Sequence, residues 1–100
     1  MAIQSFGDKT FQEFFETGII GKKTPWRSLQ RIVRRKLDML HYAHVLDDLQ
    51  SPPGDRLELL KGNLKGFYSI RVNDQWRITF GWSHLGPEKV KILDYTQRHK

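Results

Sequence analysis

The chain has 100 residues, 38% of them hydrophobic, which suffices for one core and leaves no room for a second, so a single domain over residues 1–100 is expected. Seventeen lysines and arginines against eleven acids give a net charge of +6, which favours an anionic partner such as RNA, DNA or an acidic protein segment. The absence of cysteine excludes disulfides, thiolate catalysis and cysteine-ligated zinc or iron–sulfur sites, and no apolar run approaches the roughly 20 residues that span a bilayer; a cytoplasmic protein with no membrane partner is the expectation.

Ile3 to Phe6 reads as a short strand that leaves through Gly7-Asp8. Thr10 and Glu13 fit a capping box, and Phe11, Phe14 and Phe15 recur at helical spacing until Gly18 ends the helix, so the aromatic face is core. After Gly21-Lys22-Lys23, Thr24-Pro25 supplies an N-cap and a first-turn proline for a longer helix. Leu29, Ile32, Val33, Leu37 and Leu40 line one side of it. Arg27, Arg31, Arg34 and Asp38 form a stripe on another, read first as a solvated face and second as a contact for RNA or a partner. Helix is expected to continue from Tyr42 to Leu49 and to stop before a loop at Ser51-Pro52-Pro53-Gly54.

Strands are expected at Leu57–Lys61, Phe67–Val72, Gln75–Trp82 and Lys89–Leu93. A two-residue turn at Asn73-Asp74 would set Ile70 against Arg77. Counting Gln75 into a three-residue loop instead pairs Val72 with Trp76, Ile70 with Ile78 and Arg71 with Arg77, so the apolar sets share one face. Two facing guanidinium groups repel, which points either to an anion between them or to a nearby acidic partner for Arg71.

The chain contains no H-E-x-x-H, P-loop or G-x-G-x-x-G motif, and its serines show no nucleophile elbow. His41 and His44, three apart on a helix, lack a carboxylate pattern to complete a metal site and read as surface histidines; no cofactor is expected. What remains is metal-free RNA cleavage, in which the 2′-hydroxyl attacks the adjacent phosphate. Glu58 is the candidate base, Lys61 and Arg77 the candidate charge neutralisers, and Tyr95 a donor or stacking surface. Lys65, Arg71, Lys89, Lys91 and Arg98 are the candidate RNA-binding cations.

The order of strand, two helices, R-L-E-L-L-K-G-N-L-K-G, S-I-R-V-N-D-Q-W-R-I-T-F and a terminal I-L-D-Y resembles the HigB-type toxins of the RelE/ParE superfamily along essentially the whole chain. The resemblance implies an α+β fold, with an N-terminal strand and a two-helix layer on a mainly antiparallel sheet of about four to five strands. It implies ribosome-dependent cleavage of messenger RNA and a HigA-type helix-turn-helix antitoxin as partner, with the toxin monomeric when free. By position, Lys61 and Arg77 match basic residues of the toxin active site, and Glu58 matches a place where YoeB-like relatives carry a catalytic glutamate and some HigB proteins a histidine. Asp94 and Tyr95 match the C-terminal D-Y. Many relatives carry a catalytic histidine directly after that tyrosine, where this chain has Thr96; His99 is the candidate substitute. The competing expectation is a non-nucleolytic binding protein of the same fold, a gyrase poison or a degenerate toxin that only binds its antitoxin.

Overall fold

A computed structural model of the chain describes residues 2–50 and 56–96. Two helices, α1 (Lys9–Thr17) and α2 (Gln30–Tyr42), cover one face of a sheet of β1 (Glu58–Leu59), β2 (Tyr68–Arg71), β3 (Trp76–Ser83) and β4 (Gly86–Asp94). Among the described residues the sheet has four strands, antiparallel and in sequence order. The core lies between the layers: Phe11, Phe14, Trp26, Val33, Leu37 and Leu40 pack on Ile70, Ile78, Phe80 and Val90. Each such side chain contributes about 1.5–3 kcal/mol by leaving water.

The aromatic helix forms where its spacing places it, but its cap is Asp8 and not Thr10. The Asp8 carboxylate accepts from the Thr10 and Phe11 N–H groups at 2.8 and 3.4 Å, which puts Thr10 inside the first turn and leaves no capping box with Glu13. Gly18 ends α1 at φ 78, the left-handed geometry a side chain disfavours, with its N–H on the Phe14 carbonyl.

The second helix starts later than Thr24-Pro25 implies. Those residues make a turn closed by Arg27 N–H on the Thr24 carbonyl, a short 3₁₀ segment covers Arg27–Leu29, and α2 begins at Gln30. Trp26 is the physical reason: it is buried edge-on against Phe11 and Phe14, at centroid distances of 5.5 and 5.1 Å, and this packing fixes how the chain enters the helix. Nor does α2 continue to Leu49. It stops at Tyr42, Ala43 is extended, and Leu46–Gln50 is 3₁₀, because the Asp48 carboxylate takes the N–H groups of His44 and Val45 at 2.8 and 3.2 Å. The expected loop at Ser51-Pro52-Pro53-Gly54 lies outside the described residues.

The β2–β3 hairpin has the three-residue register, with Ile70 opposite Ile78, Arg71 opposite Arg77, and Val72 N–H on the Trp76 carbonyl. Asn73 closes the loop by accepting from the Gln75 and Trp76 N–H groups at 2.9 and 2.8 Å. β1 is shorter than expected, and β4 begins three residues earlier, at Gly86, despite Pro87. The Pro87 carbonyl accepts from Gln4 N–H, so the missing proline N–H also faces the N-terminal segment and not β3. That segment runs parallel to β4 but forms a single bridge, Phe6 to Val90, and not the full strand expected over Ile3–Phe6. A bulge opposite Thr79–Gly81, where Lys89 takes φ 52, interrupts the edge it would pair with.

Candidate active site

Strand alternation sends every second side chain to the face opposite the helices. The register sets Glu58, Ser69, Thr79 and Lys91 in one row across that face and Arg71, Arg77 and Leu93 in the next. Arg77 is therefore on the polar face, as its place in the strand requires. It is nevertheless only 6% exposed, and Ser69 and Thr79 beside it are fully buried.

Three neutral oxygens hold the Arg77 guanidinium. Its Nε donates to Ser69 Oγ at 2.6 Å, and Nη2 donates to the Ser69 carbonyl at 3.3 Å and to the Arg56 carbonyl. The Tyr95 ring lies over the group, 5.2 Å from its central carbon, and the Tyr95 hydroxyl donates to Glu58 Oε1 at 2.5 Å. Burial pushes the Arg77 pKa below the ordinary guanidinium value; Glu58 and Tyr95 oppose that shift, while Arg71 and Arg56 add to it. An arginine remains protonated through such a shift, so the result is a desolvated cation. Glu58, Arg77 and Tyr95 line a cleft of about 300 Å³ together with Arg56, Arg71, Asn73 and Asp74.

Arg71 has the acidic partner its register left open: it pairs with Asp74, whose carboxyl is held below its usual range by that hydrogen bond and by the guanidinium charge. The Asp74 side chain is 96% exposed, so this is a surface pair of small net value that another anion can replace. Asp94 joins the β2–β3 loop to Thr96: Oδ2 accepts from Gln75 Nε2 at 3.0 Å and Oδ1 from the Thr96 hydroxyl at 2.7 Å. Lys61, Lys65 and Lys89 are exposed and are not among the lining residues; Lys91 is half-buried in the Glu58 row. Arg98 and His99 lie outside the described residues. His41 is not a plain surface histidine: it packs on Phe15, and its Nδ1 accepts from Ile3 N–H at 3.2 Å. Among the described residues no group of three or more His, Asp or Glu is placed to hold a metal ion.

Sequence reasoning missed Ser69 and Arg56. Ser69 was within reach, since the three-residue register puts it one row from Arg77 on the same face. Arg56 had no signal, because its contribution is a backbone carbonyl presented from a residue at φ 46. Hollows of about 370 and 390 Å³ lie along α2, where Arg27, Arg31 and Arg34 of the stripe are exposed as it implied and Arg35 is exposed beside them. Arg34 there donates to the Phe15 carbonyl at 3.0 Å, which ties α2 to the C-terminal end of α1, and pairs within α2 with Asp38 at 3.6 Å.

A helical layer on one face of a four-stranded antiparallel sheet is the fold of the RelE/ParE-like toxins. A family model described as the RelE-like toxin of type II toxin–antitoxin system HigB matches residues 4–99. Toxin HigB-1 of Vibrio cholerae serotype O1 (strain ATCC 39315 / El Tor Inaba N16961) is 40% identical over 100 residues, covering 100% of this chain and 99% of its own. An uncharacterised protein of Haemophilus influenzae (strain ATCC 51907 / DSM 11121 / KW20 / Rd) is 36% identical over 81 residues, 81% of this chain and 79% of that one. The chain belongs to the HigB-like toxins of type II toxin–antitoxin systems.

Proposed function

We propose that this toxin is a ribosome-dependent messenger RNA endoribonuclease that acts without a metal ion and is neutralised by a HigA-type antitoxin. Glu58 takes the proton of the 2′-hydroxyl, whose oxygen bonds to the adjacent phosphorus as the bond to the 5′-oxygen breaks, leaving a 2′,3′-cyclic phosphate and a 5′-hydroxyl that takes its proton from solvent water. Arg77 stabilises the negative charge that builds on the phosphoryl oxygens, and Tyr95 gives a base of the message a ring to stack on. Arg71, Arg56 and Lys91 supply further positive charge on the same face. Lys61, Lys65 and Lys89 are assigned longer-range attraction of the RNA.

The observation that carries this reading is the state of Arg77. A buried cation whose hydrogen-bond partners are all neutral oxygens is costly to fold, and such a charge suits a site that receives an anion. Primer extension on ribosome-bound message, with analysis of the cleaved ends, tests it. The expected result is cleavage on the ribosome that survives removal of added metal as far as ribosome integrity allows, cyclic phosphate ends, and little cutting of free RNA. Arg77→Ala should lower the single-turnover rate by about 10²–10³-fold while circular dichroism shows a folded domain. Full toxicity in folded Arg77→Ala, or efficient DNA cleavage, would remove the phosphate role. Intact message with antitoxin binding retained would leave a non-nucleolytic binding protein.

A further inference from the structure

We infer that Ser69 is a positioning residue for the reaction, acting through Arg77 by closing one edge of its guanidinium so that Nη1 alone is presented to the phosphate; the inference rests on the phosphate role proposed for Arg77. A guanidinium has five N–H donors, one on Nε and two on each terminal nitrogen. Ser69 takes the Nε–Nη2 edge at two points, its hydroxyl on Nε at 2.6 Å and its carbonyl on Nη2 at 3.3 Å, and the Arg56 carbonyl takes Nη2 as well. Both Nη1 donors have no partner among the described residues, although the side chain is only 6% exposed and lines the cleft. A buried charged donor left over in this way is rare unless a ligand takes it.

Ser69 holds this position by register. It stands opposite Glu58 on one side and Thr79 on the other, fully buried, one row from Arg77. Its hydroxyl can donate as well as accept, but Nε–H only donates, so the 2.6 Å contact fixes Ser69 Oγ as the acceptor. The consequence is geometric. An arginine free on all edges would grip a phosphate in two-point fashion, whereas this one offers a single nitrogen. That leaves the other phosphoryl oxygen to Arg71 or Arg56 across the cleft.

The test is a double-mutant cycle on single-turnover cleavage of ribosome-bound message, using Ser69→Ala, Arg77→Lys and both together, with Ser69→Thr as the variant that keeps the hydroxyl. Ser69→Ala should slow cleavage roughly tenfold or more with ribosome binding unchanged, as expected for loss of a hydrogen bond to a charged group. It should have no further effect in the Arg77→Lys background, which lacks Nε and Nη2. Ser69→Thr should restore most of the rate. In nitrogen-detected NMR of the free toxin, the Arg77 Nε–H signal should shift and exchange faster in Ser69→Ala, a change that does not depend on activity. An unshifted Nε–H signal, or equal losses from Ser69→Ala in both backgrounds, overturns the inference. A silent Ser69→Ala beside a crippled Arg77→Lys overturns it while leaving the phosphate role standing; a fully active Arg77→Lys and Arg77→Ala would overturn both.

Discussion

Tyr95 makes two contacts that substitution can separate: its ring lies 5.2 Å from the centre of the Arg77 guanidinium, and its hydroxyl donates to Glu58 Oε1 at 2.5 Å. Its main-chain N–H is bound to the Gln75 carbonyl at 2.6 Å, so a changed side chain leaves the end of β4 anchored. If the ring serves as a stacking surface, Tyr95→Ala loses about 1–3 kcal/mol of base stacking, roughly a 5- to 150-fold loss of single-turnover cleavage. The lost cation–π contact to Arg77 adds about 0.5–1 kcal/mol to that figure. Tyr95→Phe keeps the ring and frees Glu58 from its hydroxyl, so its rate should stay within about fivefold of the parent, less than a proton donor would supply. Both variants are to be measured on ribosome-bound message with ribosome binding checked separately. A hundredfold or greater loss in Tyr95→Phe, matching Tyr95→Ala, would refute the stacking role and identify the hydroxyl as a proton donor.

The remaining expectations are more local. His99→Gln should be nearly silent in the same assay, because Glu58, Arg77 and Tyr95 are the groups brought together at the cleft; a hundredfold loss with ribosome binding intact would show otherwise. Asp48 has its carboxyl lowered chiefly by the His44 and then the Val45 N–H bonds, so its stabilising effect is present above the unfolded value of about 3.9 and is lost as pH falls through the folded one. Asp48→Asn should therefore flatten the acid limb of a thermal-melt series below about pH 4, and an unchanged limb would count against the cap. Leu37→Ala, at a fully buried core position, should lower unfolding free energy by about 2–5 kcal/mol in urea titration, and a loss below 1 kcal/mol would mean the core readily closes the cavity.

Where side-chain alternation decides the structure, the sequence was legible. Matching Ile70 to Ile78 sufficed for the hairpin register, which in turn fixed Arg71 opposite Arg77 and put both on the face away from the helices. Boundaries set by tertiary contacts were not. Asp8 and Thr10 are both good capping residues, and propensity alone does not say which one the chain turn selects. Trp26 delays α2 by packing on rings that precede it by more than ten residues, and Pro87 is admitted to β4 because its blank N–H faces the N-terminal segment. The cleft was half legible: Glu58, Arg77 and Tyr95 come together as the residue types suggested, whereas the burial of Arg77 and its grip by Ser69 needed coordinates.

Thr96 is committed to the end of β4. Its hydroxyl and N–H both donate to Asp94 Oδ1, at 2.7 and 3.2 Å, while Gln75 bonds Asp94 Oδ2 through its side chain and Tyr95 N–H through its carbonyl. These contacts staple the end of β4 and Thr96 to the β2–β3 loop and set the Tyr95 ring over Arg77. A threonine hydroxyl has no pKa near neutrality and, engaged as a donor to Asp94, has no proton to offer a leaving 5′-oxygen. On the proposed reading the chain therefore brings a base, a phosphate-directed cation and a stacking surface to the message. The residual catalysis must then come from how the ribosome holds the scissile step in line, for which positioning alone is worth up to about 7–11 kcal/mol.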